Sequence, residues 1–137
     1  MYKKIFLILC ILVFTVVAYA ADQPLTGKVY AYYFHGSGRC FTCYKLEQYA
    51  KEAIEGNFKS QLASGELKFM VINIDEQDNA HFVDDYQLYT KSLVLSLVKN
   101  GKEERSKNLI KIWELVGNKD KFIAYVNEEL ADFLKAL

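Results

Sequence analysis

Proline is nearly absent from the sequence: the only one among its 137 residues is Pro24, close to the N-terminus. No stretch rich in proline, glycine or serine divides the chain after it, so we expect a single folded domain. An excess of either charge is also missing, since 17 basic side chains balance 17 acidic ones. Because binding to phosphates needs a basic surplus, this balance argues against nucleic acid as a partner.

Cysteine is scarce as well, with three residues in the whole chain. Cys10 lies in an apolar N-terminal run, whereas Cys40 and Cys43 form a Cys-x-x-Cys pair in the body of the chain. Two cysteines cannot supply the four thiolates of a closed zinc site. The pair can be a redox couple, a structural clamp, or two ligands of an open site for a soft metal such as Cu(I), with His35 as a third ligand. A clamp over so short a loop would constrain the unfolded chain little.

The first residues form a distinct segment. Lys3-Lys4 precedes an apolar run, Ile5 to Val17, which is shorter than the roughly 20 residues that cross a bilayer. Ala18-Tyr19-Ala20 then supplies the small-x-small pattern of a cleavage site. We predict a signal peptide at 1–20 and a mature domain at 21–137, with an uncleaved N-terminal anchor as the alternative. Export to the periplasm or the extracellular space would place Cys-x-x-Cys where a disulfide persists.

Apolar periodicity in the mature chain predicts alternating strands and helices. Strands are predicted at 28–34, 67–74, 92–98 and 102–106, and helices at 40–64, 79–86, around 109–116 and at 119–137. The alternating part predicts parallel, buried strands joined by crossover helices. Asn100-Gly101 is a hairpin signal, so we expect an antiparallel, charged edge strand after it. The expected class is α/β, a central mixed sheet of about four strands flanked by helices.

This order of elements, with Cys-x-x-Cys at the start of the first long helix, resembles the thioredoxin superfamily from about Lys28 to Leu137. More narrowly, YYFHGSGRCFTCYKLE, DDYQLYTKSLVLSLVKNGKE and Ile112-Trp113-Glu114-Leu115 resemble small exported thioredoxin-like proteins of the ArsF type, described as nitroreductase subunits. The resemblance implies a thioredoxin-like fold and thiol–disulfide exchange. Nothing in the sequence resembles a flavin or nitro-compound site, so that substrate is not carried over.

The start of the helix gives the two cysteines different chemistry. A cysteine at a helix N-terminus faces unpaired N–H groups and the positive end of the helix dipole, which stabilise a thiolate. Cys40 is placed there, and Arg39 adds a positive charge beside it. Cys43 lies one turn further along the same face and should be shielded from solvent. We therefore predict that Cys40 attacks a disulfide and that Cys43 resolves the mixed disulfide, which leaves a Cys40–Cys43 disulfide.

Two departures from the thioredoxin pattern concern substrate binding and proton transfer. Thr90, Lys91 and Ser92 occupy the place of the loop that faces the substrate in thioredoxins, with Lys91 where a cis-proline is usual. A cis bond before any other residue costs about 2.5–4 kcal/mol, so we expect a trans peptide. Thioredoxins also carry a buried acid on the strand before the cysteines, whereas no carboxylate lies between Lys28 and Arg39 here.

The sequence thus predicts an exported thiol–disulfide oxidoreductase that uses the Cys40-Phe41-Thr42-Cys43 pair without a cofactor or a bound metal. Its expected partners are cysteine-containing proteins or small-molecule disulfides and dithiols, together with a membrane or periplasmic redox protein. The alternative is a non-catalytic thioredoxin-fold module that binds a partner or a soft metal ion such as Cu(I). Phe41-Thr42 matches neither the Gly-Pro pair of reducing thioredoxins nor the Pro-His pair of strong oxidants, so both directions of electron flow stay open.

Overall fold

The computed structural model describes residues 27–137, and the predicted signal peptide lies outside this range. Four strands form one sheet in the order β2-β1-β3-β4. The strands are β1 (Gly27–His35), β2 (Leu67–Asn73), β3 (Ser92–Lys99) and β4 (Lys102–Asn108). The helices are α1 (Phe41–Asn57), α2 (Lys59–Ser64), α3 (His81–Asp85), α4 (Ile112–Leu115) and α5 (Lys119–Leu134), with a 3-10 turn at Gln77–Asn79. This is the predicted α/β thioredoxin-like fold, a mixed sheet flanked by helices.

The third strand runs opposite to the direction expected from the sequence. β1 and β2 are parallel, but β3 is antiparallel to β1, with Ser92 opposite Phe34. The prediction of parallel strands joined by crossovers is therefore wrong for β3. The five residues of α3 span roughly 7.5 Å. The seven residues of β2 span about 23 Å, so this helix cannot carry the chain back along the sheet. The connection instead stays at the end where β1 and β2 finish.

The predicted helix end at residue 64 and the predicted hairpin turn at Asn100-Gly101 are both confirmed. Gly65 caps α2 with φ 81. Asn100 and Gly101 have φ 52 and 76, as a type I′ hairpin turn requires. The predicted helix at 40–64 is two helices, because Phe58 leaves helical geometry with φ −124 and ψ 36.

Within residues 27–137, no helix is both long enough and apolar enough to cross a membrane.

Side chains alternate between the two faces of the sheet. The face under α1, α4 and α5 holds the main core, which includes Val29, Ala31, Tyr33, Leu46, Ile54, Leu93, Leu95, Phe122, Val126 and Leu130. The opposite face holds a smaller cluster of Phe34, Ile72, Leu88 and Val94, against which Phe82 and Tyr86 pack. β1 is therefore buried on both faces only near its C-terminal end, where Tyr33 and Phe34 are fully buried.

The two edge strands differ in character. β4 carries the sequence KEERSKN and is exposed along nearly its whole length, so it is the charged edge that the sequence predicts. β2 is the other edge, and the prediction of a buried strand is wrong for part of it. Met70 and Val71 are both 43% exposed, because an edge strand has a neighbour on one side only.

The core assignment can be checked with two isoleucines. Ile54 is fully buried, so we expect Ile54→Ala to lower the free energy of unfolding by about 2–5 kcal/mol in urea denaturation. Ile110 is 69% exposed, and Ile110→Ala removes the same atoms. This control should change the free energy of unfolding by less than about 0.5 kcal/mol. Equal losses in the two variants would contradict the core described above.

Candidate active site

The loop between β1 and α1 is tied to the end of β2. Asp75 Oδ2 accepts the Ser37 N–H at 2.6 Å, and Asn73 Nδ2 donates to Ser37 Oγ at 3.2 Å. Gly36 passes so close to Asp75 that a Cβ at this position would lie 3.1 Å from a carboxylate oxygen. These contacts fix the glycine-rich loop, and with it the point at which α1 begins.

Cys40 is the N-cap residue of α1. Its backbone is extended, with φ −95 and ψ 168, and its Sγ accepts the Cys43 N–H at 3.2 Å. The first turn of α1 contains no acidic residue, so no negative side chain there offsets the positive end of the helix dipole. Cys40 is exposed, whereas Cys43 is only 1% exposed. The two sulfurs therefore meet different surroundings, one facing solvent and one facing the core.

Cys40 and Cys43 form a disulfide, with their Cα atoms 5.1 Å apart. Because Cys43 is buried, an external thiolate can reach the disulfide only at the Cys40 sulfur. Such an attack would bond the incoming sulfur to Cys40 and release Cys43 as the leaving thiolate. The geometry therefore suits exchange through Cys40. The catalytic roles of the two cysteines stay predictions.

Tyr33 ties β1 to the first turn of α1. It is fully buried, and its hydroxyl donates to the Cys43 carbonyl at 2.8 Å. Burial raises the pKa of Tyr33 to about 12; the positive charge of Arg39 opposes this shift and the negative charge of Glu47 adds to it. The hydroxyl is therefore protonated at neutral pH and remains a donor.

Arg39 and Glu47 form an ion pair beside the same turn. Their side chains are only 13% and 26% exposed. The guanidinium carbon lies 4.3 Å from the centre of the Tyr44 ring, which helps to fix its position. Arg39 Nε is buried and has no hydrogen-bond acceptor among the described residues. The site thus contains a partly buried carboxylate on α1, although none lies on β1.

The predicted substrate-facing loop lies at the same end of the sheet. Thr90 and Lys91 line, together with His35, a groove of about 330 Å³, and the Thr90–Lys91 peptide is trans. Ser92 is buried, and its hydroxyl donates to the Thr90 carbonyl at 2.9 Å. Trp113 Nε1 donates to the Lys91 carbonyl, also at 2.9 Å. Both loop carbonyls therefore already have protein donors, and the loop's role toward a substrate stays a prediction.

The structure does not assemble the H-x4-C-x2-C pattern into a three-ligand metal site. His35 Nδ1 lies 2.9 Å from the Gly36 carbonyl. The other histidine, His81, lies at the surface, and its Nδ1 is 2.7 Å from a carboxylate oxygen of Asp85. In residues 27–137, no group of three or more His, Cys, Asp or Glu side chains is placed to hold a metal ion.

Three contributors to the site are not predicted from the sequence. Tyr33 and Trp113 pack in and against the main core, and their polar atoms also bond the helix start and the Lys91 loop. Glu47 receives no role in the predictions from the sequence. The sequence does contain a pattern that places Glu47 near the site. Glu47 follows Cys43 by four residues, and side chains at this spacing share one helix face.

No protein-family model matches the chain, and no curated protein is significantly similar to it in sequence. Among solved structures, thioredoxin O2 from Arabidopsis thaliana in the oxidised state is 12% identical, over 70% of this chain and 76% of its own, with a TM-score of 0.41. Fasciola hepatica thioredoxin is 16% identical, over 67% of this chain and 81% of its own, with a TM-score of 0.39. The narrower ArsF-type resemblance stays a prediction.

The difference between the two sulfurs predicts selective alkylation. After reduction, Cys40 should react with iodoacetamide at neutral pH roughly tenfold or more faster than Cys43, because it is exposed and its thiolate is stabilised. Mass spectrometry of peptides from quenched time points measures both rates. In urea the two thiols should react at similar rates, which serves as the control. Equal rates in the folded protein would contradict the asymmetry.

Proposed function

We propose that the protein is an exported thiol–disulfide oxidoreductase in which Cys40 and Cys43 alternate between dithiol and disulfide. The observation that carries the proposal is the setting of the Cys40 sulfur. Cys40 is exposed, its sulfur accepts the Cys43 N–H at the start of a 17-residue helix, and its disulfide partner is buried. Because a helix N-terminus favours the anion, this sulfur is suited to attack as a thiolate and to leave as one.

The proposed reaction has two exchange steps. In the reducing direction, the Cys40 thiolate attacks one sulfur of a substrate disulfide, and the other substrate sulfur leaves with the electron pair of the broken bond. Cys43 then loses its proton and attacks the Cys40 sulfur, which releases the second substrate thiolate and forms the Cys40–Cys43 disulfide. The reverse sequence oxidises a substrate dithiol. A redox titration against glutathione distinguishes the two directions, because oxidising and reducing couples differ by roughly 100 mV or more.

Exposed aromatic side chains favour polypeptide substrates over small thiols. Phe41 directly follows Cys40 and is 83% exposed, and Tyr44 on the next turn is 56% exposed. Tyr89, which precedes the Thr90–Lys91 loop, is 94% exposed. Large exposed apolar groups near a reactive atom are typical of surfaces that bind other proteins. A membrane or periplasmic redox protein would then restore the starting state of the pair.

Insulin reduction by dithiothreitol tests the enzymatic proposal. The wild-type chain should accelerate insulin precipitation, and Cys40→Ser should abolish the acceleration because the attacking sulfur is lost. Reduced Cys43→Ser, freed of dithiothreitol and mixed with insulin, should instead accumulate a mixed disulfide with the substrate, visible by mass spectrometry. Thr42→Ser keeps both thiols and is the matched control, with an expected rate within about twofold of the wild type. If Cys40→Ser is as active as the wild type, the proposal is wrong.

Expression of the full chain in a bacterium tests export. We expect a periplasmic product that begins at Ala21 and contains the oxidised pair, because Ala18-Tyr19-Ala20 fits a signal-peptidase site. Replacing Ala20 with a large residue, Ala20→Phe, should leave the precursor uncut. Intact mass and N-terminal sequencing give the result. A cytoplasmic product with its first 20 residues intact would overturn this part of the proposal.

A further inference from the structure

The resolving step needs an acceptor for the proton of Cys43. The thiol must become a thiolate to attack, yet Cys43 is only 1% exposed, and a buried thiol ionises less readily than an exposed one. Bulk water is therefore a poor direct acceptor. The acceptor has to be sought among the groups around the first turn of α1.

Two polar side chains beside this turn, Tyr33 and Arg39, cannot take a proton. Tyr33 is protonated at neutral pH, and its hydroxyl already donates to the Cys43 carbonyl at 2.8 Å. Arg39 is a permanent cation with donors only. The carboxylate of Glu47 is the anionic acceptor in this cluster. His35, whose ring centre lies 6.4 Å from that of Tyr33, has its Nδ1 2.9 Å from the Gly36 carbonyl, and the Glu52–Lys119 pair lies further along α1.

Glu47 is also directed toward the reacting turn. It follows Cys43 by four residues, so the two side chains lie on one face of α1. Its ion pair with Arg39, which precedes Cys40, draws the carboxylate back toward the helix N-terminus. Tyr44 packs against the same guanidinium at 4.3 Å and holds the pair in place.

Given the oxidoreductase function proposed above, we propose that Glu47 accepts the proton of Cys43 in the resolving step, with Arg39 and Tyr33 as positioning residues. The Cys43 thiol transfers its proton to the Glu47 carboxylate, directly or through one water. The Cys43 sulfur then forms a bond to Cys40 Sγ, and the bond between Cys40 Sγ and the substrate sulfur breaks. The substrate thiolate leaves with that electron pair and takes a proton from Glu47 or from water.

The surroundings of Arg39 support this transfer. When the proton moves, the negative charge passes from the carboxylate to the Cys43 sulfur. Arg39 lies beside this turn, and its buried Nε–H has no acceptor among the described residues in the disulfide form. A buried donor without a partner is costly, and an anion nearby would satisfy it. The Arg39 guanidinium can therefore stabilise the negative charge first on the Glu47 carboxylate and then on the Cys43 thiolate.

A stopped-flow reaction separates the two exchange steps. The reduced protein is mixed with one equivalent of 5,5′-dithiobis(2-nitrobenzoate). Attack by Cys40 releases one thionitrobenzoate, and resolution by Cys43 releases the second. Glu47→Gln keeps an oxygen that accepts from Arg39 but cannot take a proton at neutral pH. We expect the second phase to slow roughly 100-fold at pH 7, with the first phase changed less than about twofold.

The pH profile distinguishes proton transfer from packing. In the wild type the second phase should already be fast near neutral pH. In Glu47→Gln its rate should rise only above about pH 8.5, the ordinary thiol pKa, because burial disfavours the Cys43 thiolate. Glu47→Asp keeps a carboxylate and should keep the wild-type profile at a lower rate. Glu52→Gln removes another paired carboxylate from α1 and is the matched control, with both phases unchanged.

The outcomes separate this inference from the proposed function. If Glu47→Gln gives the wild-type rate and profile in the second phase, or if Glu47→Asp behaves like Glu47→Gln, Glu47 is not the acceptor. The two phases themselves would still show thiol–disulfide exchange. If the wild type releases no thionitrobenzoate in a first phase, the proposed oxidoreductase function fails and this inference fails with it.

Discussion

The hydrogen bond from the Cys43 amide to the Cys40 sulfur sets the geometry of the whole site, because it fixes where α1 begins. A helix turns by about 100° per residue, so a shift of α1 by one residue in register would rotate Cys43 away from the core. The start in turn depends on the glycine-rich loop, which Asp75 and Asn73 hold by bonds to Ser37. The exposure of one sulfur and the burial of the other therefore rest on polar residues at the end of β2.

The direction of β3 is the second condition for the site. Since β3 begins opposite Phe34, the residues just before it lie at the end of the sheet where α1 starts. In a parallel arrangement, Thr90 and Lys91 would enter the sheet at its far end, roughly 20 Å away. Trp113 then fixes the Lys91 carbonyl from the chain that follows β4. The shortness of the β2–β3 connection is thus as important for the site as the Cys-x-x-Cys pair.

Local patterns in the sequence predict the elements and their order, and these predictions hold because each depends on neighbouring residues. The Asn100-Gly101 turn, the glycine end of α2 and the cysteine at the start of α1 are of this kind. The alternation of strands and helices suggests a crossover before β3, and this prediction is wrong. The predicted helix at 79–86 would span only about 12 Å, so its length already argues against a crossover along a strand of about 23 Å. The ion pair of Arg39 with Glu47 joins residues eight apart across a helix start, so no single periodicity reveals it.

The same contacts influence the redox potential of the pair. Any group that stabilises the thiolate favours the dithiol and makes the disulfide a stronger oxidant. The amide that bonds Cys40 and the positive helix end both act in this direction, and the absence of an acidic residue in the first turn leaves them unopposed there. Glu47 acts in the opposite direction when it is ionised, but Arg39 offsets its charge. In the proposed mechanism, protonation of Glu47 would release Arg39 to stabilise the thiolate. The ion pair would then couple the ease of reduction to the proton that the resolving step moves.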